Sequence, residues 1–357
     1  RKKITEDDIE KYIGISKEYN AFEFQDAVAQ KNFSKSIKMI QLYKYCILTI
    51  IAICLSVSAI AQTDQDGLMM NKDLFCTGIV YNASNWNKYW EGTNFRENLN
   101  LGTVSSRSIN LMGNYGIKDN LNFLFNVPYI RNNVSAGTLN SMSGFQDASA
   151  WLKWMPIEKE VKNGYVSVYL LGGASMPLSD YIVDYLPVAI GLKSNTFSGR
   201  LMLDYQVGNF TITASETYTV RGNTRLERNS YFTTSSILSN QVDMPNTNTL
   251  SLRSGYRSNW LIAELILTDT KTLGGFDITK NNMPFPSNRM NATTIATNIK
   301  YEIQKVPGLS IVGGASRVIK GRNVGQSTGF YSGVFYILNF KKKEKSKPMP
   351  DASTEKN

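Results

Sequence analysis

Phe197-Ser-Gly-Arg-Leu-Met-Leu-Asp-Tyr-Gln-Val207 alternates without a break: Phe197, Gly199, Leu201, Leu203, Tyr205 and Val207 share one face, and Ser198, Arg200, Met202, Asp204 and Gln206 share the other. Successive side chains of an extended chain point to opposite sides, so this period of two marks a strand with one apolar and one polar surface. The pattern recurs in Thr293 to Ile303, where Ile295, Ile299, Tyr301 and Ile303 oppose Asn298, Lys300 and Glu302, and in Leu121, Phe123, Phe125 and Val127 against Asn122 and Asn126. Turn signals punctuate the chain at Gly116-Ile-Lys-Asp-Asn120, Val207-Gly-Asn209, Arg257-Ser-Asn259 and Lys305-Val-Pro-Gly308, with a longer link from Pro156 to Gly164. Between these short turns lie long loops near 84–98, 131–143, 176–195, 221–246, 270–289 and 319–326.

The segments between them are twelve strands, at about 74–83, 99–116, 121–131, 145–156, 163–175, 196–207, 209–220, 247–257, 260–269, 290–304, 308–318 and 327–340. An even number returns both ends to one side. Short turns on one rim and long loops on the other are the layout of an outer-membrane barrel, with the short side periplasmic. The expected fold is therefore all-β: an antiparallel transmembrane β-barrel over residues 62–340, preceded by a short helical N-terminal extension.

A soluble barrel could alternate as well. Aromatic residues separate the two, since Tyr115, Trp154, Tyr205, Tyr256 and Tyr301 each sit near the lower end of a descending apolar face and Phe340 ends the last strand. Amphipathic rings at one level suit the boundary between headgroups and hydrocarbon. Composition agrees: 42% of residues are hydrophobic and mean hydropathy is −0.25, too polar for a bundle of membrane helices. The net charge of +10 includes the run Lys341-Lys342-Lys343-Glu344-Lys345, which reads as part of a disordered periplasmic tail over 341–357 rather than a nucleic-acid surface.

Residues 39–61 read as a Sec signal peptide. Met39 and Lys44 precede an apolar run from Cys46 that ends in Ala59-Ile60-Ala61, a small-x-small cleavage site before Gln62. The run is shorter than the ~20 residues a spanning helix needs. Residues 1–38 are charged and helical in texture; Ile4 to Phe33 resembles part of the delta subunit of bacterial DNA polymerase III, which implies a neighbouring gene's remnant joined to this one rather than clamp-loader activity.

The chemistry is bounded by what is missing. The chain has no histidine, which excludes hydrolysis by a histidine-activated serine, the chemistry of outer-membrane phospholipases. Cys76 is the one cysteine downstream of the leader, so neither a disulfide framework nor a zinc site is expected. No cofactor, metal or catalytic residue is assigned. The alternation points Asp147, Ser149, Trp151, Lys153, Arg200, Asp204, Gln206, Arg253, Lys300 and Glu302 into the lumen, where charges of both signs could either line an aqueous path or cross-link into a plug.

Four motifs carry a resemblance: Trp86-Asn-Lys-Tyr-Trp90-Glu-Gly92, Gly116-Ile-Lys-Asp-Asn-Leu121, Val127-Pro-Tyr129 and Ser143-Gly-Phe-Gln-Asp147-Ala-Ser-Ala-Trp-Leu-Lys153. With these, residues 74–340 resemble the transporter-type barrels of the meta-pathway of phenol degradation family, in a Bacteroidetes-like variant. Gln146 stands where that family shows glycine in Gly-x-Gly-Asp. The resemblance implies passive passage of small molecules, aromatic or apolar, across the outer membrane. The alternative is a plugged structural barrel that acts through its long loops. Expected partners are outer-membrane lipid and lipopolysaccharide, the barrel-assembly machinery, which the aromatic-ended last strand suits, and small solutes, with no nucleic acid.

Overall fold

Inside a bilayer every backbone N–H and C=O needs a partner within the protein, which leaves an extended chain only one solution, a closed sheet. The computed structural model describes residues 63–233, 235–279 and 284–340, so the proposed extension, signal peptide and tail lie outside the described residues. Its wall consists of β1 (Leu74–Trp86), β2 (Val104–Lys118), β3 (Leu121–Val134), β4 (Asp147–Val161), β5 (Gly164–Pro177) and β6 (Thr196–Val207), then β7 (Phe210–Arg221), β8 (Thr247–Arg257), β9 (Leu261–Thr272), β10 (Asn291–Glu302), β11 (Leu309–Arg322) and β12 (Thr328–Asn339). Each strand pairs antiparallel with the next, and β1 closes on β12 from Leu74↔Asn339 to Asn85↔Thr328. The expected twelve-stranded antiparallel barrel is the observed fold.

Local chemistry sets the turns. Gly208, with φ of 56°, makes the tight link between β6 and β7 at a conformation that side chains with a Cβ rarely adopt. The expected longer link at 156–164 is instead a two-residue turn at Lys162 and Asn163. β4 continues past Pro156, and the register shifts between Trp154 and Ile157. Proline lacks a donor, but a bulge leaves one residue unpaired and so lets the strand pass through it. Near its upper end β3 pairs with a short segment, Met142–Phe145, before β4 takes over below Gln146.

The outward face is apolar and the inward face polar. Leu201, Leu203, Leu252, Leu265, Leu267 and Ile299 are exposed on the outside, whereas Lys153, Asp204, Arg253, Glu264 and Lys300 are buried on the inside. Trp154, Tyr205, Tyr256, Tyr301 and Phe340 are exposed near the short-turn rim, and Tyr115 lies half-buried opposite Phe75 and Phe123. Glu216 interrupts the outer band, where its carboxylate accepts a hydrogen bond from Asn248 Nδ2 at 2.7 Å. A closed barrel with such a band resides in the bacterial outer membrane.

At the other rim the loops tie to one another. The loop 178–195 folds inward, burying Tyr181, Val183 and Ile190 against Ile130 and Met142. Asp184 accepts a hydrogen bond from the Glu227 amide and pairs with Arg228 at 3.0 Å, which links that loop to 222–246. Asp277 pairs with Arg322 at 2.6 Å, and Asn323 accepts from the Gly92 amide at 2.7 Å, which joins three further loops.

A charge on the outer band should be costly. Leu265→Arg, with no acid directly opposite it, is expected to lower stability by about 2–4 kcal/mol in phospholipid vesicles, measured by the denaturant midpoint. An unshifted midpoint would contradict the bilayer-facing assignment of that face. Asp277 provides a second test outside the membrane. The hydrogen bond from Arg322 is the main reason its carboxyl is held below the usual range. A depressed folded pKa means that the tie is intact above the ordinary carboxylate value and is lost as pH falls through the lowered one. Pepsin nicking within 273–290 should stay slow at about pH 4 and rise toward about pH 2, with Arg322→Gln nicked at both.

Candidate functional site

The lumen is not empty. Residues 63–70, ahead of β1, lie inside the barrel, with Asn71 and Lys72 exposed at the short-turn rim, and the inward charges of β4, β6 and β8 converge on this segment. Lys153 Nζ donates to the carbonyls of Thr63 at 3.1 Å and Asp66 at 2.5 Å and to Asp66 Oδ1 at 3.3 Å. Arg200 Nη1 donates to the Asp64 carbonyl at 2.6 Å and to Asp64 Oδ2 at 2.9 Å, and its guanidinium stacks 4.7 Å from the Trp151 ring. Arg257 Nη1 reaches the Gly67 carbonyl at 3.3 Å and Asp204 Oδ2 at 3.0 Å. Tyr169 donates its hydroxyl to the same carbonyl at 2.9 Å.

These contacts explain otherwise expensive burial. An ammonium with 0% side-chain exposure is tolerated only when paired and fully hydrogen-bonded. Among the described residues, Lys153 donates its hydrogen bonds to the inner segment, not to the wall. The segment also contributes apolar contacts, with Met69 packing on the inward faces of Tyr169, Leu171 and Met202. Asn122, with its amide oriented to suit both contacts, donates to the Met70 carbonyl at 3.0 Å and accepts from the Met70 amide at 2.6 Å. Gly67 is required for the fit, since a Cβ there would lie 2.3 Å from Asp204 Cγ. Asp204 has little room to give because Arg257, Thr211 and Thr213 all hold its carboxylate.

A second buried network crosses the opposite wall. Arg253 Nη2 donates to Glu264 Oε2 at 2.7 Å, Asn298 Nδ2 donates to the same oxygen at 2.9 Å, and the Tyr331 hydroxyl donates to Asn298 Oδ1 at 2.7 Å. Between network and plug is a cavity of about 540 Å³. Thr63, Asp64, Gln65 and Asp66 form one side, and Arg253, Glu264, Asn298 and Lys300 supply polar wall. Asn82, Asn110, Asn126, Ser149, Thr268 and Tyr331 add polar groups, and Val80, Met112, Trp151, Ile262, Ile266, Val312 and Phe335 form the apolar part of the lining.

Alternation thus placed most of the expected lumen residues on two sides of one site. Lys153, Arg200 and Asp204 hold or brace the plug; Trp151, Arg253 and Lys300 line the cavity. Asp147 and Glu302 do not join them. Asp147 sits at the loop end, where the Tyr181 hydroxyl donates to its Oδ1 at 2.6 Å and the Lys193 amide donates to Tyr181. Glu302 lies at the short-turn end of β10, opposite Ser310. Sequence reasoning missed Arg257, Glu264, Asp64 and Asp66. Glu264 carries a readable signal, since a carboxylate between Ile262 and Ile266 on one face of a strand demands a buried cation. Asp64 and Asp66 precede the first alternating segment and carry none.

The plug's dependence on one cation is testable. Lys153→Met should cost about 3–5 kcal/mol, because Asp66 is left buried without its partner. The loss should appear as proteolytic sensitivity at residues 63–72, while Lys153→Met/Asp66→Asn recovers much of it. Equal resistance of wild type and single variant would rule out the assigned role.

Residues 96–332 match the protein family described as putative MetA-pathway of phenol degradation. Among solved structures, an outer membrane channel from Pseudomonas putida is similar at a TM-score of 0.60 and 11% identity, over 78% of this chain and 100% of that one. At that identity the likeness shows the fold. The translocator domain of autotransporter NalP from Neisseria meningitidis gives a TM-score of 0.39 at 11% identity, over 86% of this chain and 98% of its own. A FadL homologue from Pseudomonas aeruginosa gives 0.35 at 12%, over 75% and 91%. No curated protein matches the sequence.

Proposed function

The chain belongs to the family described as putative MetA-pathway of phenol degradation, and from that membership we propose that it is a passive outer-membrane transporter for small aromatic or apolar molecules. One observation carries the substrate class. The lumen cavity sets Val80, Met112, Ile262, Ile266, Val312 and Phe335 on inward positions as an apolar patch beside the polar Asn82, Asn110, Asn126 and Thr268, a mixed surface that suits a small molecule with an apolar body. Its volume of about 540 Å³ falls within the range of small-molecule sites. Trp151 adds a flat apolar surface beside Asp64 and Asp66, and Arg253, Glu264 and Asn298 leave one wall able to accept a polar substituent.

The chemistry favours passage over catalysis. The lumen acids Asp64, Asp66, Asp204 and Glu264 each pair with Lys153, Arg200, Arg253 or Arg257, so their charge maintains structure rather than waiting on a reactant. Movement through the lumen requires the segment 63–70 to shift or a solute to pass beside it. The plug also supports a second reading, a structural barrel that never opens. Export through a leader at 39–61, insertion by the barrel-assembly machinery through the Phe340-ended strand, and contact with lipopolysaccharide belong to the same proposal.

Conductance and flux separate the two readings. Refolded residues 62–357 in a planar bilayer should give small steps, and deletion of 63–69 should enlarge them. In vesicle swelling, benzenesulfonate (an aromatic anion the bilayer retains) should enter faster than a sugar of similar mass. If neither solute enters through the intact or the shortened barrel, the structural reading replaces transport.

A further inference from the structure

The outer wall carries a depression that no protein group fills. It measures about 650 Å³ and lies over β3 to β7, with Phe123, Leu152, Phe197, Tyr218 and Val220 around a floor of small residues. That floor centres on Gly172 and Gly199, directly paired across β5 and β6. A Cβ added to either would meet nothing within 4 Å, and neither glycine has the positive φ that would call for glycine. Nothing inside the protein therefore accounts for the missing side chains. Glycine in a strand weakens it, and a common reason to find one is the close approach of a ligand or another backbone.

The position says what approaches. Gly199 lies six residues above Tyr205 of the lower aromatic belt. At a rise of about 3.3 Å per residue along a strand tilted by roughly 40°, that is about 15 Å, past the middle of an apolar band about 25 Å tall. The groove is thus surrounded by hydrocarbon in the outer half of the bilayer. Its walls are almost wholly apolar, and the outward positions of its two central rungs are Leu152, Gly172, Gly199 and Tyr218, then Ala150, Ala174, Phe197 and Val220. Apart from the Tyr218 hydroxyl, which accepts from Asn246 Nδ2 at 3.0 Å, such a surface offers an occupant only close packing.

We propose that this groove binds one acyl chain of an outer-leaflet lipid, seated over Gly172 and Gly199 between the Phe197 and Leu152 side chains. The glycine pair lets the chain lie against backbone, so it is held more closely than the lipid around the rest of the perimeter. The leucine-rich outer faces of β8 and β9, at Leu250, Leu252, Leu265 and Leu267, supply the ordinary lipid contact for comparison.

The test is photocrosslinking of the refolded mature barrel in phosphatidylcholine vesicles containing a trace of phosphatidylcholine with a diazirine on its acyl chain. Adducts mapped by peptide mass spectrometry should be severalfold enriched on 170–174 and 197–201 over 250–252 and 265–267. Gly172→Leu/Gly199→Leu, which fills the groove from within, should abolish the enrichment and leave the reference adducts unchanged. Heat-modifiable mobility checks that the variant folds, and Gly199→Leu alone should give an intermediate loss if the double variant fails. Uniform labelling around the perimeter, or enrichment that survives filling, would overturn the proposal. A disulfide-linked dimer of the Phe197→Cys variant under mild oxidant would overturn it too, by giving the groove to a second copy.

Discussion

Lys153 is the pivot of the lumen. Its ammonium is removed from water and its charge is offset by Asp66, with two further hydrogen bonds to carbonyls of the same stretch. The inner segment and the wall therefore stabilise each other: without the segment Lys153 would be a buried cation facing a void, and without Lys153 the segment would bury an uncompensated carboxylate. The arginines extend the arrangement around the wall. Arg200 secures Asp64, and Arg257 connects the segment to Asp204. The desolvation cost of these groups is large, so their mutual geometry is fixed more tightly than that of the apolar contacts beside them.

The barrel makes this possible because it separates two solvents by a single residue's spacing. Alternate positions of one strand face lipid and lumen, so Leu201 and Arg200 can be neighbours in sequence while occupying environments that tolerate opposite chemistry. The same rule lets β4 carry Trp154 outward at the interface and Lys153 inward at the plug. The grip on the segment and the boundary of the cavity both come from the inward set alone.

Much of this was legible in the sequence, for a physical reason. Period-2 alternation and tight turns are local properties, and they located all twelve strands. Pro156 misled because a missing donor usually ends a strand, whereas here a bulge absorbs it. Lumen orientation was equally readable, which is how Lys153, Arg200, Asp204, Arg253 and Lys300 came to be named. What each charge pairs with was not. Lys153 meets Asp66 across 87 positions of sequence, and Arg200 meets Asp64 across 136, so neither pairing leaves a local trace. Nothing nearby in sequence announces that Tyr181 folds back onto Asp147 either.

The closing seam has a topological consequence. β1 and β12, the first and last strands, are the pair that shuts the ring, and residues 63–72 lead directly into β1. While that seam is open, the segment can be laid sideways against β4, β6 and β8 as those strands form. Once it is shut, the same segment could reach its place only end-on, with Asp64 and Asp66 stripped of water along the way. The order in which the edges meet thus decides whether the barrel is born with its stopper seated or has to be corked afterwards.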